Sequence, residues 1–181
     1  MNQRTSTFFT TNQISQRFYD ISGFPCVYGA IYCTHIPVVS PGDNQAELFC
    51  NRKGFFSINV QTVSNGDLYI RNIVARWPGS THDSTIFYHS LLRTKFESGI
   101  IPPKYHLIID NGYGCRTYSL TPFLNPATCS ERRYNFSHIR TRNVVERQYG
   151  VWKQHFACLS TELHCDVNNA LTIIGCNCCC S

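Results

Sequence analysis

Three acidic residues of the sequence occupy positions from which carboxylates could meet in one cleft. Asp83 follows a Gly-Ser loop at a predicted helix start, Asp110 ends a short apolar run, and Glu146 lies early in the last predicted helix. Carboxylate oxygens are the ligands that hard divalent cations prefer. Two such ions about 3.5–4 Å apart can stabilise both the attacking and the leaving oxygen of a phosphoryl transfer. The residue types therefore permit metal-assisted chemistry on a phosphate ester.

Each of these carboxylates also has a purely structural interpretation. Asp83 can serve as the N-cap of a helix, and Asp110 can open the Asp-Asn-Gly turn that it begins. Asn143, with Glu146 three residues later, matches a capping box. The spacing of the three acidic residues alone does not decide between structure and chemistry.

Basic residues are concentrated around the predicted helix that carries Glu146. They are Arg132, Arg133, Arg140, Arg142, Arg147 and Lys153, with His138 and His155 between them. Such a surface can follow the phosphates of DNA without reading its bases. The alternative is an ordinary solvated helix face. The formal net charge of +5 permits an anionic partner without requiring one.

Hydrophobic periodicity predicts the strands that must position these residues. Residues 27–38 begin the sheet, and residues 55–63 and 68–77 flank Asn65-Gly66, a strong hairpin signal. Residues 105–110 form a continuous apolar run that is typical of a buried strand. We expect the first three strands to be antiparallel and the fourth to lie parallel beside the first. Residue 32 and Asp110 would then lie on adjacent strands.

Helices are predicted at three places along the chain. A short helix is expected at residues 15–21, and a second begins at Asp83-Ser84 and ends before Pro102, with Ile86, Phe87 and Leu91 on one side. Residues 121–141 are predicted to be a long connection with little regular structure. The last helix, residues 143–159, carries an apolar stripe of Val145, Tyr149, Trp152, Phe156 and Leu159. Together these elements indicate an α/β or α+β domain with a mixed sheet.

Composition limits the class of protein. A length of 181 residues with a hydrophobic fraction of 43% suits a single domain with its own core. The eleven cysteines are odd in number and mostly scattered, which favours reduced thiols in an intracellular protein. A zinc site at the Cys-rich end, with His164 and Cys165 as further ligands, is a weaker alternative. No apolar run approaches the roughly 20 residues that span a bilayer, so no membrane partner is expected.

Four segments of the chain together resemble one protein family. They are N-R-K-G-F-F-S-I-N-V-Q (residues 51–61), W-P-G-S-T-H-D-S-T-I-F (77–87), L-I-I-D-N-G-Y (107–113) and Y-N-F-S-H-I-R-T-R-N-V-V-E-R-Q-Y-G-V-W-K (134–153). Their order and separation resemble the Harbinger-type transposases and, more particularly, the transposase-derived nucleases of the DDE superfamily. The resemblance covers about residues 18–175. We therefore divide the chain into an incomplete leading segment (1–20), a DDE nuclease-like domain (21–175) and a Cys-rich tail (176–181).

The resemblance carries expectations about fold and function. It implies an α/β, ribonuclease-H-like fold with a mixed sheet and flanking helices, and nuclease chemistry on DNA with Mg²⁺ or Mn²⁺. Asp83, Asp110 and Glu146 fall on acidic positions that the family links to metal binding and catalysis. The resemblance also implies a location in the nucleus, with the cytoplasm as a second location, and a Myb-like partner protein.

One segment departs from the pattern of the family. Where the family usually reads G-A-I-D-G-T-H-I, with an aspartate of the metal site, this chain reads G-A-I-Y-C-T-H-I. Tyr32 therefore replaces the aspartate and Cys33 replaces its glycine. A phenol with a pKa of about 10 is neutral at physiological pH and a poor ligand for a hard cation. Cysteine prefers softer metals and does not restore the site.

Three hypotheses follow from these observations. The first is a two-ion endonuclease that is impaired at the position of Tyr32. The second is a binding protein that retains the fold and the basic surface of such an enzyme without its chemistry. The third is a truncated product of a mobile element, because family members generally carry a helical segment before the nuclease core, and that segment is almost absent here.

Overall fold

A five-stranded mixed sheet forms the centre of the fold, in the order β3-β2-β1-β4-β5. The structure is a computed structural model that describes residues 10–42 and 46–179. The strands are β1 (Val27–Pro37), β2 (Ser57–Ser64), β3 (Ile70–Pro78), β4 (His106–Ile108) and β5 (Ser119–Leu120). β2 is antiparallel to both β1 and β3, whereas β4 runs parallel to β1 and β5 parallel to β4. This arrangement confirms the predicted ribonuclease-H-like sheet, including its parallel fourth strand.

The β2–β3 hairpin turns where Asn65-Gly66 predicts it. The side-chain oxygen of Asn65 accepts the backbone N–H groups of Asp67 and Tyr69 at 3.0 and 2.9 Å. Leu68 adopts a positive φ of 67° within this turn. An Asn side chain that bonds the backbone after it is a common way to close a turn, and it fixes the register of the two strands.

Six α-helices flank this sheet within the part of the chain that the structure describes. They are α1 (Thr11–Ser22), α2 (Ala46–Phe49), α3 (Asp83–Tyr88), α4 (Leu91–Glu97), α5 (Cys129–His155) and α6 (Val167–Cys179), and a 3-10 helix (Ala157–Leu159) follows α5. α1 begins with a capping box between Thr10 and Gln13. No helix in the described ranges is both long and apolar enough to cross a membrane.

Two hydrophobic clusters lie on opposite faces of the sheet. Phe18 from α1, Trp152 from α5 and Ile174 from α6 pack in the larger cluster. Phe87 from α3 and Phe96 from α4 pack in the smaller one. Side chains alternate between the two faces of a strand. Consecutive residues of β1 therefore face either α5 or the α3–α4 side.

The predicted helix after Asp83 is in fact two short helices. Its N-cap is His82, not Asp83 or Ser84, and the side chain of His82 accepts the N–H of Ser84. The side chain of Ser90 accepts the N–H of Arg93 and so begins α4. Leu91 was expected on the buried side, but it is the first residue of the separate helix α4, and 78% of it is exposed.

α5 begins far earlier than the sequence analysis predicts. Its 27 residues start at Cys129, after a capping box formed by Thr128 and Glu131, so the predicted irregular connection is wrong from residue 129 onwards. The N-terminal half of this helix lacks a continuous apolar stripe, which explains the error. Glu146 lies well inside the helix, and the interpretation of Asn143 and Glu146 as a capping box is therefore wrong.

The C-terminal region contains a helix that the sequence analysis did not predict. α6 reaches Cys179, so most of the Cys-rich tail is helical and only residues 180–181 lie outside the described residues. Ala170 and Ile174, four positions apart, are both buried against the sheet. The cysteines whose side chains the structure describes are free.

Candidate active site

Tyr32 lies on β1, on the face of the sheet that α5 covers. Its ring centroid lies 5.2 Å from that of Tyr149 on α5. The hydroxyl of Tyr149 donates a hydrogen bond to the backbone carbonyl of Tyr32 at 3.2 Å, and it lies 2.7 Å from the hydroxyl of Thr62 on β2. These contacts hold α5 against the central strands at the residue where the family usually has an aspartate.

Arg142 connects the two acidic residues on this face. One of its terminal nitrogens lies 3.2 Å from a carboxylate oxygen of Asp110 and 3.9 Å from a carboxylate oxygen of Glu146. The central carbon of the same guanidinium lies 5.6 Å from the centre of the Tyr32 ring. The structure thus brings Asp110 and Glu146 to one place, and a cation from the protein itself is bound between them.

Asp83 has a different set of contacts. Its carboxylate accepts a hydrogen bond from the side-chain amide of Asn59 at 2.7 Å, and the same amide donates to the carbonyl of Thr81 at 2.9 Å. Asn59 lies on β2 and only 1% of it is exposed. The amide of Asn59 therefore anchors the Asp83 carboxylate to β2. Asp83 takes no part in the ion pairs of Arg142.

Tyr32 and Cys33 are both neutral in this environment. Burial raises the pKa of the Tyr32 phenol above its ordinary value of 10.0, and the negative charge of Glu146 raises it further. Burial and then the charge of Asp83 raise the pKa of the Cys33 thiol. The Cys33 sulfur lies 3.2 Å from the hydroxyl of Tyr113, to which Gln61 also donates at 3.4 Å. Neither residue supplies the negative charge of an aspartate.

The oxygen donors of Asp110 and Glu146 determine whether a divalent cation can bind at this site. Asp110 and Glu146 carry the oxygen donors that such ions prefer, yet both are engaged by Arg142. Among the described residues, no three His, Cys, Asp or Glu side chains lie close enough together to hold a metal ion. The side chains in this arrangement do not fit a preformed two-ion site.

Four of the six predicted DNA-contacting residues are exposed on α5, and the other two are half-buried. Arg133, Arg140 and Arg147 recur every seven residues of α5 and are exposed, as is Arg132. Arg142 lies at the acidic site instead. The ammonium of Lys153 donates to the carbonyl of His35 at 3.4 Å, and burial lowers its pKa below the ordinary value of 10.5.

His138 is not part of the basic surface. It is fully buried, and its Nε2 lies 2.9 Å from the carbonyl of Leu120, to which it donates as the neutral ring. Burial lowers the pKa of this imidazole. The expectation that His138 alternates with the surface arginines is therefore wrong, because its position on α5 points it into the core.

Sequence reasoning missed three residues that shape the site. The pairing of Arg142 with Glu146 has a local signal, because residues four apart share one face of a helix. Tyr149 was predicted only as a member of the apolar stripe, and its hydroxyl carries two of the contacts described above. Asn59 has no local signal, because its bond to Asp83 joins residues of two different elements.

Known proteins with similar sequences indicate the family of this chain. The family described as "DDE superfamily endonuclease" matches residues 31–180. "Putative nuclease HARBI1" of Homo sapiens is 31% identical over 146 residues, which cover 81% of this chain and 41% of that protein. The protein of the same name from Mus musculus is 32% identical over the same length. "Protein ALP1-like" of Arabidopsis thaliana is 24% identical over 93% of this chain and 45% of its own length.

The matched regions are only part of the relatives. The chain spans about two fifths of the length of the HARBI1 proteins that it matches. No solved structure matches the chain.

Proposed function

Because the chain belongs to the DDE superfamily endonucleases, we propose that it is a DNA endonuclease domain of a Harbinger-derived protein with impaired metal-dependent cleavage. Nucleases of this family use divalent metals and act on DNA. The observation that carries the proposal is the position of Arg142, between Asp110 and Glu146 and beside Tyr32. A neutral ring replaces the aspartate of the family pattern, and an internal cation lies between the two carboxylates that would otherwise be available to a metal ion.

The catalytic assignment is part of this proposal. Asp83, Asp110 and Glu146 are the catalytic residues and the candidate ligands of Mg²⁺ or Mn²⁺. A bound ion would stabilise the charge on the oxygens of the scissile phosphate. In the arrangement observed, Arg142 neutralises Asp110 and Glu146, and Asn59 holds Asp83. Cleavage therefore requires that Arg142 first leave the two carboxylates.

A catalytically inactive DNA- or protein-binding remnant is the second candidate function. The ion pairs of Arg142 favour it, because they satisfy Asp110 and Glu146 without a metal. The exposed Arg132, Arg133, Arg140 and Arg147 would contact phosphates in either case. A nuclear or cytoplasmic location and a Myb-like partner complete the proposal, and they are supported by the family resemblance alone.

The test restores the family pattern. Tyr32→Asp with Cys33→Gly adds one carboxylate, so we expect tighter binding of Mn²⁺ in titration calorimetry and faster nicking of plasmid DNA. Each 1.36 kcal/mol of transition-state stabilisation changes a rate about tenfold, so several kcal/mol would separate the two proteins by orders of magnitude. Tyr32→Phe is the matched control, because it keeps the ring and should behave like the unmodified protein.

Two results discriminate between the candidate functions. If the unmodified chain nicks DNA as fast as the restored one, and Asp110→Asn abolishes both activities, the proposed impairment is wrong. If neither protein binds Mn²⁺ while both bind DNA, the domain is a binding remnant.

A further inference from the structure

A cavity of about 280 Å³ opens on the α3–α4 side of the sheet, next to the start of α3. Its walls include Arg93, Arg116 and Tyr88, and the buried rings of Phe87 and Tyr113 line its inner side. This size lies just below the roughly 300–1,000 Å³ that is typical of small-molecule sites. Its volume therefore suits one small ligand.

The cavity borders the residues that carry the candidate chemistry. Ser84, which follows Asp83 in the chain, is part of its lining. Tyr113 lies three residues after Asp110, and its hydroxyl contacts the sulfur of Cys33. The N–H of Gly112 donates to the carboxylate of Asp110 at 2.9 Å, so one short loop connects this carboxylate with the cavity wall.

Two guanidinium groups make the cavity attractive to an anion. Arg93 donates from Nε to Glu97 at 2.8 Å and from a terminal nitrogen to the carbonyl of Tyr88 at 3.0 Å, which fixes its orientation. The side chain of Arg116 forms no ion pair with any other residue of the described ranges. The carboxylate of Glu97 therefore balances only one of the two positive charges of Arg93 and Arg116. A phosphate would balance the other.

Tyr88 adds an aromatic surface to this charge. The guanidinium of Arg93 lies 3.8 Å from the centre of its ring, yet 55% of Tyr88 is exposed. Aromatic rings that remain exposed beside arginines are the usual platform for bases of single-stranded nucleic acid. The buried rings of Phe87 and Tyr113 offer no such face, because their exposed fractions are 5% and 6%.

We propose that this cavity binds one unstacked nucleotide of single-stranded DNA, with the base on Tyr88 and the phosphate at Arg93 and Arg116. The inference rests on the proposed function, since it assumes that DNA lies across the neighbouring carboxylates. It adds to that function a preference for a strand end, a mismatch or a single-stranded segment, where one base leaves the stack at little cost. Base pairing would exclude a nucleotide from the cavity.

The experiment compares the affinities of a labelled single-stranded oligonucleotide and its duplex by fluorescence anisotropy, in EDTA. Tyr88→Ala should weaken binding of the single strand roughly tenfold, the effect of losing one stacked base, and leave duplex binding unchanged. Tyr88→Phe should restore single-strand binding, because it keeps the ring. Arg116→Gln should lower single-strand affinity, and Tyr19→Ala, which removes an equally exposed tyrosine from α1, should change neither affinity.

The proposal is overturned if Tyr88→Ala leaves single-strand affinity unchanged, or if it lowers single-strand and duplex affinities equally. Because no metal is present, this result is independent of the nicking assay. Absence of nicking by the restored Tyr32→Asp, Cys33→Gly protein, with Tyr88-dependent binding retained, would refute the proposed nuclease and not the nucleotide site. If the restored protein nicks DNA and Tyr88→Ala does not change the affinity for the single strand, the nucleotide site is refuted and the nuclease is not.

Discussion

Replacing Arg142 with methionine tests whether an internal cation occupies the place of a metal ion. The substitution keeps an apolar stem beside Tyr32 and removes the charge between Asp110 and Glu146. Side-chain exposures of 23% for Arg142, 35% for Asp110 and 50% for Glu146 mean that solvent screens both pairs. Partly exposed ion pairs contribute roughly 0.2–1 kcal/mol each.

The expected loss of stability without metal is therefore about 1 kcal/mol. For a protein of this length, that lowers the Tm by about 2–4 °C. The variant also leaves two carboxylates with no neighbouring cation, so Mn²⁺ should now bind between them. An ion at about 100 times its Kd adds about 2.7 kcal/mol to the free energy of unfolding, which corresponds to a Tm increase of roughly 5–10 °C.

The assay is thermal unfolding in EDTA and in Mn²⁺ at several ion concentrations. We expect Arg142→Met to melt below the unmodified protein in EDTA and above it in Mn²⁺. Arg140→Met is the matched control, because Arg140 lies on the same helix and contacts Phe136 rather than a carboxylate. Its Tm should not respond to Mn²⁺ more than that of the unmodified protein.

The reasoning fails if Mn²⁺ raises the Tm of the unmodified protein as much as that of Arg142→Met. Arg142 would then not compete with metal ions. Equal losses of stability in Arg142→Met and Arg140→Met would show that the ion pairs contribute nothing measurable.

Three further predictions concern stability and DNA binding. Burial lowers the pKa of His138 below its ordinary 6.5, so below that pH the unfolded chain takes up a proton that the folded protein does not. The free energy of unfolding should fall as the pH drops through 6.5, and His138→Gln should reduce this fall in urea titrations. Replacing Arg140 and Arg147 with glutamine should weaken binding to all DNA sequences alike and reduce the log–log salt slope by about 0.9 per lost phosphate contact; binding that is indifferent to salt would contradict the proposed surface. A Cβ at Gly79 would lie 2.5 Å from one backbone carbonyl and 2.8 Å from another, so Gly79→Ala should cost about 1–3 kcal/mol, whereas Gly114→Ala, with nothing within 4 Å, should leave the Tm nearly unchanged.

The strands were predictable because their signals are local. Asn65 closes the hairpin through its side chain, which accepts the N–H groups of Asp67 and Tyr69, so the turn depends on neighbouring residues only. The apolar run at residues 105–110 predicted a buried strand because both faces of β4 are covered. Strand ends differ from the prediction by a few residues, since side-chain patterns do not show where pairing stops.

The errors in the helices have two physical causes. The capping box of Thr128 and Glu131 is a local signal for the start of α5, but the segment that follows it lacks the apolar periodicity of a helix. The break between α3 and α4 depends on Ser90, whose hydroxyl caps one helix and donates to the carbonyl of Phe87 in the helix before it. A serine within an amphipathic segment gives no clear sign that it will do so.

The site was predicted less completely than the fold. Helix geometry relates Arg142 to Glu146, but the approach of Asp110 depends on how α5 packs on the sheet. The sequence can indicate which residues carry charge. It cannot show which oppositely charged side chain will pair with them, because that depends on side-chain orientations set by tertiary contacts.

The parallel pairing of β1 with β4 also has a consequence for how the chain folds. β1, the central strand, is made before its parallel neighbour β4, and the chain between them contains the β2–β3 hairpin and the three helices α2, α3 and α4. The hydroxyl contact between Ser22 and Thr141 joins residues 119 positions apart. Chains dominated by such distant pairings fold slowly, and the unpaired edge of β1 is exposed to other chains in the meantime. Aggregation during refolding should therefore increase with protein concentration.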